Sequence, residues 1–502
     1  MDVGGGLLHG FSVALQPLNL FWCFAGCFLG TMVGVLPGLG PAATIAMLLP
    51  LTFHMTPAAG IIMLAGIYYG AKYGGSTTSI LLNMPGESSS VATCIDGFQM
   101  ARRGRAGAAL GIAAISSFVA GTIGVVALTL IAPQVASFAL SFSSPEYFAL
   151  MCLGLALVVL LSGASMIKGL LALFLGLWLA GVGTDLFTAQ ARFIFGQAAL
   201  LGGIEFLVVA VGIFAIGEVL TTIQSREEAR PLPVPRGVRN LLPNREELKA
   251  CRFAFANGSV VGFLVGVLPG AGSTIASFLA YGIEKAFSRH PEKFGTGVPE
   301  GVAAPEGANN ADSGGALVPL LTLGLPGGSS TAVLLAALVL WGVRPGPLLM
   351  DEAPDVFWGL VASMYIGNVM LLVLNLPLVP LFAQILRIPR FILFPIILGI
   401  STAGAYLASG RIFDLALLAG FGLLGFVMAK LQFPSPPLIL GFVLGDAMER
   451  AFRQSLMMSQ GDFTPFATRP IAATLLALAG VTLLIPLFGA NGWRGKVVGQ
   501  HA

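Results

Sequence analysis

Charged residues are scarce in this sequence. Only 10% of its 502 residues are Asp, Glu, Lys or Arg, whereas soluble domains carry about 25%. The net charge of +3 is small and spread along the chain, so it favours neither nucleic acid nor an acidic partner. With 56% hydrophobic residues, the chain is instead predicted to be a polytopic membrane protein.

The chain is also poor in the residues that build catalytic and metal centres. Its four histidines form no cluster, and the sequence contains no Ser-His-Asp or HExxH arrangement. Its five cysteines show no CxxC or CxxH spacing. We therefore expect neither an enzyme active site nor a cofactor.

Long apolar runs make up most of the sequence. At about 20 residues per span, they predict an all-α fold with about 12 hydrophobic segments. The polar stretch 224–252 is rich in Pro and Arg and separates the runs into two groups. We predict a first transmembrane repeat in 1–223, a linker loop in 224–252, and a second repeat with C-terminal spans in 253–502. The basic residues of the loop predict that it is cytoplasmic.

Three landmarks occur in the same order in both groups. "GVLPGLGP" (34–41) reappears as "GVLPGAGS" (266–273), and "SSPEYF" (143–148) resembles "EAPDVFW" (352–358). Between them, "YGAKYGGSTTSILLNMPGESSS" (69–90) aligns with "NNADSGGALVPLLTLGLPGGSST" (309–331), which places Lys72 opposite Asp312. The shared order predicts an internal duplication. Interrupted apolar segments at matching places in two repeats are typical of secondary transporters that bind substrate near the membrane midplane.

The flanking charges differ between the two groups. "RRGR" (102–105) follows the first Pro-Gly segment, whereas Arg344, Asp351 and Glu352 follow the second. Because basic loops stay in the cytoplasm, this contrast predicts repeats of inverted topology. The basic residues 285–293 remain on the cytoplasmic side only if 253–286 is a re-entrant hairpin that turns at Pro269, and we favour such hairpins in both halves.

The Pro-Gly motifs predict broken helices. Pro removes a backbone donor and clashes with the preceding turn, and the neighbouring glycines allow a sharp bend. Irregular backbone survives in a membrane only where it is buried in protein or lines a wet cavity. The exposed N–H groups of one half-helix attract anions, and the carbonyls of the other attract cations. Ordinary kinks packed by small residues are the alternative interpretation.

Three segments carry a family resemblance. "GVLPGLGPAATIAMLLPLTF" (34–53), "YYGAKYGGSTTSILLNMPGESSSVATCIDG" (68–97) and "GVPEGVAAPEGANNADSGGALVPLLTLGLPGG" (297–328) resemble the large membrane subunit of the tripartite tricarboxylate transporters. The resemblance implies a multi-pass permease of the bacterial inner membrane that imports carboxylates such as citrate, driven by an ion gradient, commonly sodium. It also implies two partners, a small membrane subunit and a periplasmic solute-binding protein.

Hydroxyl, amide and Pro-Gly residues at the breaks are the predicted substrate site. It consists of Pro37, Gly38, Gly40, Lys72, Thr77, Thr78, Pro85, Gly86, Ser88, Ser89, Asn309, Asn310, Pro326, Gly327, Ser329, Ser330 and Thr331. For sodium, which prefers oxygen ligands, the predicted residues are Gly38, Gly270, Gly272, Asn310 and Asp312.

Several alternatives remain open at this point. Lys72 faces a substrate carboxylate, pairs with another residue or extends to the membrane interface. Glu300 and Glu306 are interpreted first as loop or rim residues and second as coupling-proton sites. The coupling ion could be a proton and the cargo another small organic anion. A channel is a further alternative, although the sequence shows no ring of charged residues or repeated carbonyl filter.

Overall fold

The computed structural model describes residues 2–36, 38–161, 165–185, 187–223, 232–233, 237–386, 388 and 390–488. Nearly all regular structure in this part of the chain is helical. The exception is a two-stranded antiparallel hairpin of β1 (Gly183–Thr184) and β2 (Ala191–Arg192), in which Gly183 lies opposite Arg192. The prediction of an all-α fold is confirmed at this level.

The helices fall at the following positions along the chain. In the first part they are α1 (Val3–Ala14), α2 (Pro17–Gly34), α3 (Pro41–Leu48), α4 (Pro57–Leu82), α5 (Val91–Met100), α6 (Ala106–Ala139), α7 (Ser144–Leu161), α8 (Met166–Ala180), α9 (Phe206–Ala210), α10 (Gly217–Ile223) and α11 (Arg245–Ala250). In the second part they are α12 (Arg252–Gly266), α13 (Gly272–Phe287), α14 (Glu300–Leu323), α15 (Ser329–Leu340), α16 (Leu349–Glu352), α17 (Pro354–Asn375), α18 (Val379–Ile385), α19 (Arg390–Ser409), α20 (Ile412–Lys430), α21 (Ser435–Met458), α22 (Thr464–Thr468) and α23 (Pro470–Phe488).

Six helical stretches among the described residues are long and apolar enough to cross a membrane. They are Pro17–Gly34, Ser88–Ala139, Ser144–Leu161, Phe206–Ile223, Pro354–Asn375 and Ile412–Lys430. One of them contains a wider π-helical turn at Val211–Ile216, and the stretch Ser88–Ala139 is interrupted by a kink at Gly104, where φ is 79°. Shorter apolar helices, such as Arg252–Gly266 and Ser329–Leu340, occur beside these spans. The chain is therefore a multi-pass protein by its apolar helices, although the number of long spans is smaller than the twelve predicted segments.

The chain forms two compact units. Unit 1 consists of residues 1–139 and 205–431, and unit 2 of residues 140–204 and 432–502. Within unit 2, α21 packs on α7 and α8, and α23 packs on α7. The two units are defined by which residues pack together. The predicted division at 224–252 instead separates two repeats of similar sequence. That division stays a prediction, and part of its loop, 224–231 and 234–236, lies outside the described residues.

Unit 1 is organised around the two long helices α4 and α14. Nearly every residue of both helices is buried, because α2 packs along α4 while α6 and α12 pack along α14. Glycines allow these close approaches: a Cβ on Gly30 would lie 2.5 Å from the Ile67 carbonyl oxygen, and one on Gly266 would lie 2.6 Å from the Asp312 carbonyl oxygen. Small residues at helix contacts are typical of membrane proteins.

The helices break at all four Pro-Gly motifs. α2 ends at Gly34 and α12 ends at Gly266, just before the GVLPG turns, and α4 and α14 end just before Pro85 and Pro326. The last two helices terminate in the left-handed conformation, at Asn83 (φ 57°) and Gly324 (φ 69°). α12 and α13 pack against each other, and away from their turn the Asn257 amide donates to the Ala280 carbonyl at 2.8 Å. The predicted breaks are therefore present where the structure describes them.

Candidate functional site

Charged and polar side chains meet where α4 lies near α14, and we call this group the polar seam. It consists of Tyr68, Lys72 and Ser76 on α4, and Glu306, Asn309, Asn310, Asp312 and Ser313 on α14. On α14, positions 306, 309, 310 and 313 follow the spacing i, i+3, i+4, i+7, which places them on one face of a helix. All of these residues are buried. Polar groups buried inside a membrane protein need partners or a function.

Lys72 is the only cation of the seam, and its contacts define the centre of the site. Its Nζ lies 2.9 Å from Asp312 Oδ2 and donates to the Asn309 carbonyl oxygen at 2.7 Å. The ring of Tyr68 lies 4.8 Å from the same nitrogen, within the range of a cation–π contact. Of the predicted roles of Lys72, pairing with another residue is the one present in this structure.

Glu306 lies in the interior of unit 1. Its side chain is fully buried, and it accepts hydrogen bonds from Ser76 at 2.5 Å and Thr93 at 2.6 Å. The prediction that it belongs to a loop or rim is wrong. Its position before an apolar run suggested a loop, yet α14 packs on α4 and α5, which supply Ser76 and Thr93 and bury the carboxyl group. Glu300, at the start of α14, is partly exposed.

The two adjacent amides bond in different directions. Asn309 donates to Glu87 Oε1 at 2.9 Å, so it reaches the NMPGESSS turn of the first half. Asn310 donates to Ser117 Oγ at 2.7 Å on α6 and to the Glu306 carbonyl at 3.1 Å. The predicted Asn-Asn pair thus belongs to one connected polar group with Lys72 and Glu306.

The turn after Pro85 carries several predicted residues in different environments. Pro85 and Ser88 are exposed, and Ser88 accepts a hydrogen bond from Thr274 at 2.9 Å. Ser89 is fully buried, and its Oγ has no hydrogen-bond partner in the structure. Gly86 lies so close to α4 that a Cβ there would come 2.5 Å from the Gly75 Cα. The turn is therefore pressed against the helix that precedes it.

The turn after Pro326 has a similar backbone arrangement. A Cβ on Gly327 would lie 2.9 Å from the Ala316 Cβ, so this turn is also held against its own helix. Ser329 and Ser330 begin α15 and are partly exposed. Thr331 is buried and accepts a hydrogen bond from the Gly328 amide at 2.9 Å, as a helix cap does.

The remaining predicted residues lie near the GVLPG turns or beside the seam. Thr77 and Thr78 are buried on α4, and Thr78 donates to the Val35 carbonyl at 2.6 Å. Gly40 precedes α3, and the predicted Pro37 lies outside the described residues. Gly38 adopts φ 87°, beside Glu218, and the Gly270 amide donates to the Gly327 carbonyl at 2.8 Å.

The residues predicted for sodium are therefore distributed over distinct environments. Gly38 lies beside Glu218, Gly270 bonds to the Pro326 turn, and Gly272 starts α13 with φ 65°. Asn310 and Asp312 lie in the seam. A search of the described residues finds no group of three His, Cys, Asp or Glu side chains that could hold a metal ion. A cation here would instead depend on amide, hydroxyl and single carboxylate oxygens.

Several buried oxygens of the seam have no hydrogen-bond partner among the described residues. They are Asn309 Oδ1, Asp312 Oδ1 and Ser313 Oγ. Buried polar atoms are nearly always satisfied, so a cluster of exceptions marks a place where another group can bind. Oxygens attract a hard cation, and the Lys72 ammonium can attract a carboxylate.

Two narrow cavities flank the seam. One is lined in part by Tyr73, Ser76, Thr77 and Ser117. The other is lined in part by Tyr69, Asn310 and Asn368. Each has room for about one water molecule, so the seam is closely packed in this conformation.

Sequence reasoning missed several partners in this group. Ser76, Thr93 and Ser117 hold Glu306 and Asn310, and Glu87 holds Asn309. Asn368 on α17 accepts a hydrogen bond from Tyr73 at 2.9 Å. A signal existed for Asn368, since a lone Asn within an apolar run is unusual and suggests a buried partner. No spacing in the sequence indicates the contact between Glu306 and Thr93, because these residues are far apart along the chain.

These features define a class of protein: a multi-pass helical membrane protein that buries a charged seam between broken helices. The match to a family model is more specific. Residues 20–440 match the model described as "Tripartite tricarboxylate transporter TctA family", and the chain belongs to this family. It is a transporter family rather than an enzyme family, and its members are the membrane component of a tripartite system.

Similar proteins extend the likeness over the whole chain. An uncharacterized 52.8 kDa protein of the TAR-I ttuC' 3' region of Agrobacterium vitis is 48% identical over 487 residues, which cover 97% of each chain. An uncharacterized protein of the TAR-II ttuC' 3' region of the same organism is 44% identical over 226 residues, covering 45% of this chain and 93% of the relative. No solved structure matches the chain.

Proposed function

We propose that this chain is the permease subunit of a sodium-coupled carboxylate importer in the bacterial inner membrane. It takes tricarboxylates or dicarboxylates from a periplasmic solute-binding protein and works beside a small membrane subunit. The observation that carries the proposal is the buried seam of Lys72, Asp312 and Asn309 within the family match. A buried ammonium suits a carboxylate, and the surrounding oxygens suit a cation.

We also propose that the two halves are inverted repeats. The supporting contacts are equivalent: a Cβ on Gly30 would meet Ile67, and a Cβ on Gly262 would meet Ala308. Both long helices end in a left-handed residue, and both following turns are capped by a hydroxyl, that of Ser90 or Thr331.

These contacts shift the alignment of the two proposed repeats by one residue relative to the sequence alignment, which places Lys72 opposite Asp312. A Cβ on Gly34 would meet the carbonyl of Ala71, and a Cβ on Gly266 would meet that of Asp312. Asp312 therefore corresponds to Ala71, one residue before Lys72. Lys72 and Asp312 face each other across the seam and are not equivalent positions.

The exposed charges support the inverted topology and the re-entrant hairpin. Arg102 and Arg103 are exposed after the first Pro-Gly turn, and Asp351 and Glu352 are exposed after the second. Lys285 is exposed at the end of α13. Because α12 and α13 form a helical hairpin of 15 and 16 residues, each arm crosses about two-thirds of a bilayer and returns to the side on which it began.

Substrate binding is assigned in this proposal to the Pro-Gly turns together with the seam. The turns contribute hydroxyl groups, and the seam contributes Lys72, Asn309 and Asn310. Ser89 is a candidate ligand because its buried hydroxyl has no partner. Motion of the hairpins and turns against the rest of the protein would expose the site to each side of the membrane in turn.

Proton coupling is a second candidate, and Glu306 favours it. A fully buried carboxyl group held by two hydroxyls, Ser76 and Thr93, can carry a proton across an apolar region. The hydroxyl contacts persist in either protonation state, because hydroxyl groups both donate and accept hydrogen bonds.

The test is uptake by proteoliposomes that contain the chain, the small membrane subunit and the binding protein. An inward sodium gradient at equal pH should raise the internal concentration of labelled carboxylate above the external concentration. Simple equilibration would indicate a channel instead. Accumulation in sodium-free medium that a protonophore abolishes would replace sodium by protons and point to Glu306.

A further inference from the structure

Three buried side-chain oxygens of α14 have no hydrogen-bond partner among the described residues and lie within little more than one helical turn. Asn309, Asp312 and Ser313 follow the spacing i, i+3, i+4, so their side chains project from neighbouring parts of the helix surface. Their exposed fractions are 1%, 3% and 0%. Each carries one oxygen that forms no hydrogen bond with any other part of the chain that the structure describes. Leaving one such atom unsatisfied is costly, so three together mark a place where a ligand can bind.

The ligand class follows from the chemistry of these atoms. One carboxylate, one amide and one hydroxyl supply oxygen only, which hard cations prefer. A divalent ion in a buried site would require more negative charge than a single carboxylate, especially next to an ammonium group. The set therefore fits a monovalent cation such as sodium.

The Lys72 ammonium lies at the same place. Its Nζ donates to Asp312 Oδ2 at 2.9 Å and to the Asn309 backbone carbonyl at 2.7 Å. Two of the three residues are therefore already in contact with the Lys72 ammonium. Two cations a few ångströms apart around one buried carboxylate would repel each other strongly, since screening by water is weak there. Simultaneous tight binding of both is therefore unfavourable.

We propose that sodium binds to Asn309 Oδ1, Asp312 Oδ1 and Ser313 Oγ, and that it displaces the ammonium of Lys72 from Asp312. The released ammonium then binds a carboxylate of the substrate. Charge balances in both states: Asp312 neutralises Lys72 before binding, and afterwards Asp312 neutralises sodium while the substrate neutralises Lys72. This inference rests on the proposed function, and it supplies a physical reason why ion and substrate would bind together.

Binding of radioactive sodium to the purified full-length chain in detergent tests this exchange. Ser313→Ala removes a ligand oxygen that has no other partner, so it should leave folding unchanged and weaken sodium binding by about tenfold or more. Lys72→Met removes the competing cation and should tighten sodium binding by about tenfold or more. The two variants therefore move the affinity in opposite directions.

Ser116→Ala is the matched control. Ser116 is equally buried and contacts α14 through the Ala303 carbonyl at 2.6 Å, away from the three oxygens. Its replacement should lower stability slightly and leave sodium binding unchanged. If Lys72→Met does not fold, comparing the sodium affinity of Ser313→Ala with that of Ser116→Ala still decides the location of the ion.

The failure of this inference differs from the failure of the proposed function. A wild-type chain that binds sodium, with Ser313→Ala and Lys72→Met binding it equally well, would overturn the exchange while sodium-coupled import stands. A reconstituted system that accumulates no carboxylate in any gradient would overturn the proposed function itself. An unaltered sodium affinity in Ser313→Ala alone would remove Ser313 from the site and contradict the three-oxygen set.

Discussion

Two buried aspartates, one in each compact unit, have different sets of contacts. In unit 1, Asp312 is buried, its Oδ2 pairs with the Lys72 ammonium at 2.9 Å, and its Oδ1 has no hydrogen-bond partner among the described residues. In unit 2, Asp185 accepts hydrogen bonds from the backbone amides of Phe187 and Thr188, both at 2.8 Å, and pairs with Arg453 at 2.9 Å. A carboxylate with many donors stabilises a loop, whereas one with few partners is available to exchange them.

The surroundings reinforce this difference. The side chain of Lys72 has a relative accessible surface of 2%, whereas that of Arg453 has 32%. Arg453 also pairs with Glu449 at 2.6 Å, and Arg192 contacts both Glu449 and Asp185. Water therefore screens the network of unit 2 but hardly reaches the seam of unit 1. We infer that the network is structural and that the seam can carry function.

The largest expected effect comes from removing one partner of the buried pair. Asp312→Ala leaves the ammonium of Lys72 buried without its carboxylate, which should lower the free energy of unfolding by about 3–5 kcal/mol. The measurement is thermal or denaturant unfolding of the purified chain in detergent. The double variant Lys72→Met with Asp312→Leu should recover most of this loss, since it removes both charges. Equal loss in the single and double variants would contradict the pairing.

A second prediction concerns the close helix contacts that exclude water from the seam. Gly30→Ala and Gly262→Ala each place a Cβ against the backbone of the partner helix, which should cost about 1–3 kcal/mol of unfolding free energy. Gly282→Ala is the control, because a Cβ on Gly282 in α13 meets nothing within 4 Å. Stability equal to wild type in all three variants would show that these helices are less closely packed than described.

Ser76→Ala should have a smaller effect. It removes one of the two hydroxyls that contact Glu306, and Thr93 remains, so we expect a loss of about 1–2 kcal/mol in unfolding free energy. Ser79→Ala on the same helix is the control, since Ser79 bonds locally to the Gly75 carbonyl at 3.1 Å. A loss in Ser79→Ala as large as that in Ser76→Ala would contradict a special role for the contact with Glu306.

The smallest effect is expected in unit 2 and depends on pH. The backbone amides of Thr188 and Phe187, with Arg453, hold the pKa of the Asp185 carboxyl well below its usual range. A lowered pKa in the folded state stabilises the protein above the unfolded pKa of about 3.9, and this contribution is lost as pH falls through the folded pKa. The stability difference between wild type and Asp185→Asn should therefore be constant at neutral pH and shrink below about pH 4.

Unfolding midpoints of both proteins between pH 7 and pH 3 provide the measurement. Asp446→Asn is a suitable control, because Asp446 and Arg450 form a half-exposed i, i+4 pair that should contribute about 0–1 kcal/mol. A stability difference between wild type and Asp185→Asn that grows as pH falls would contradict a lowered pKa for Asp185.

Much of the local structure was predictable from the sequence. Pro and Gly act through the backbone of their own neighbourhood, so the breaks near Pro85, Pro269 and Pro326 could be located without tertiary information. Lys72, Asn309 and Asp312 stood out because polar residues are rare in apolar runs. That Lys72 pairs with Asp312 could not be derived, because pairing depends on how α4 is rotated relative to α14.

Glu306 shows the limit most clearly. It lies before an apolar run, so the sequence alone favoured a position in a loop or at a rim. Burial was decided by the packing of α14 against α4 and α5, which supply the partners Ser76 and Thr93. Thr93, which bonds to Glu306, had no sequence signal for the same reason.

By itself, the sequence determined that the chain is an apolar, helical, multi-pass protein with breaks at its Pro-Gly motifs, because composition and backbone chemistry act locally. Only the tertiary structure decided which polar groups meet, that Asp312 holds Lys72, and that the oxygens of Asn309, Asp312 and Ser313 remain without partners. The physical reason is that hydrogen bonding and burial depend on distances between helices, and these distances follow from packing along the whole length of α4 and α14.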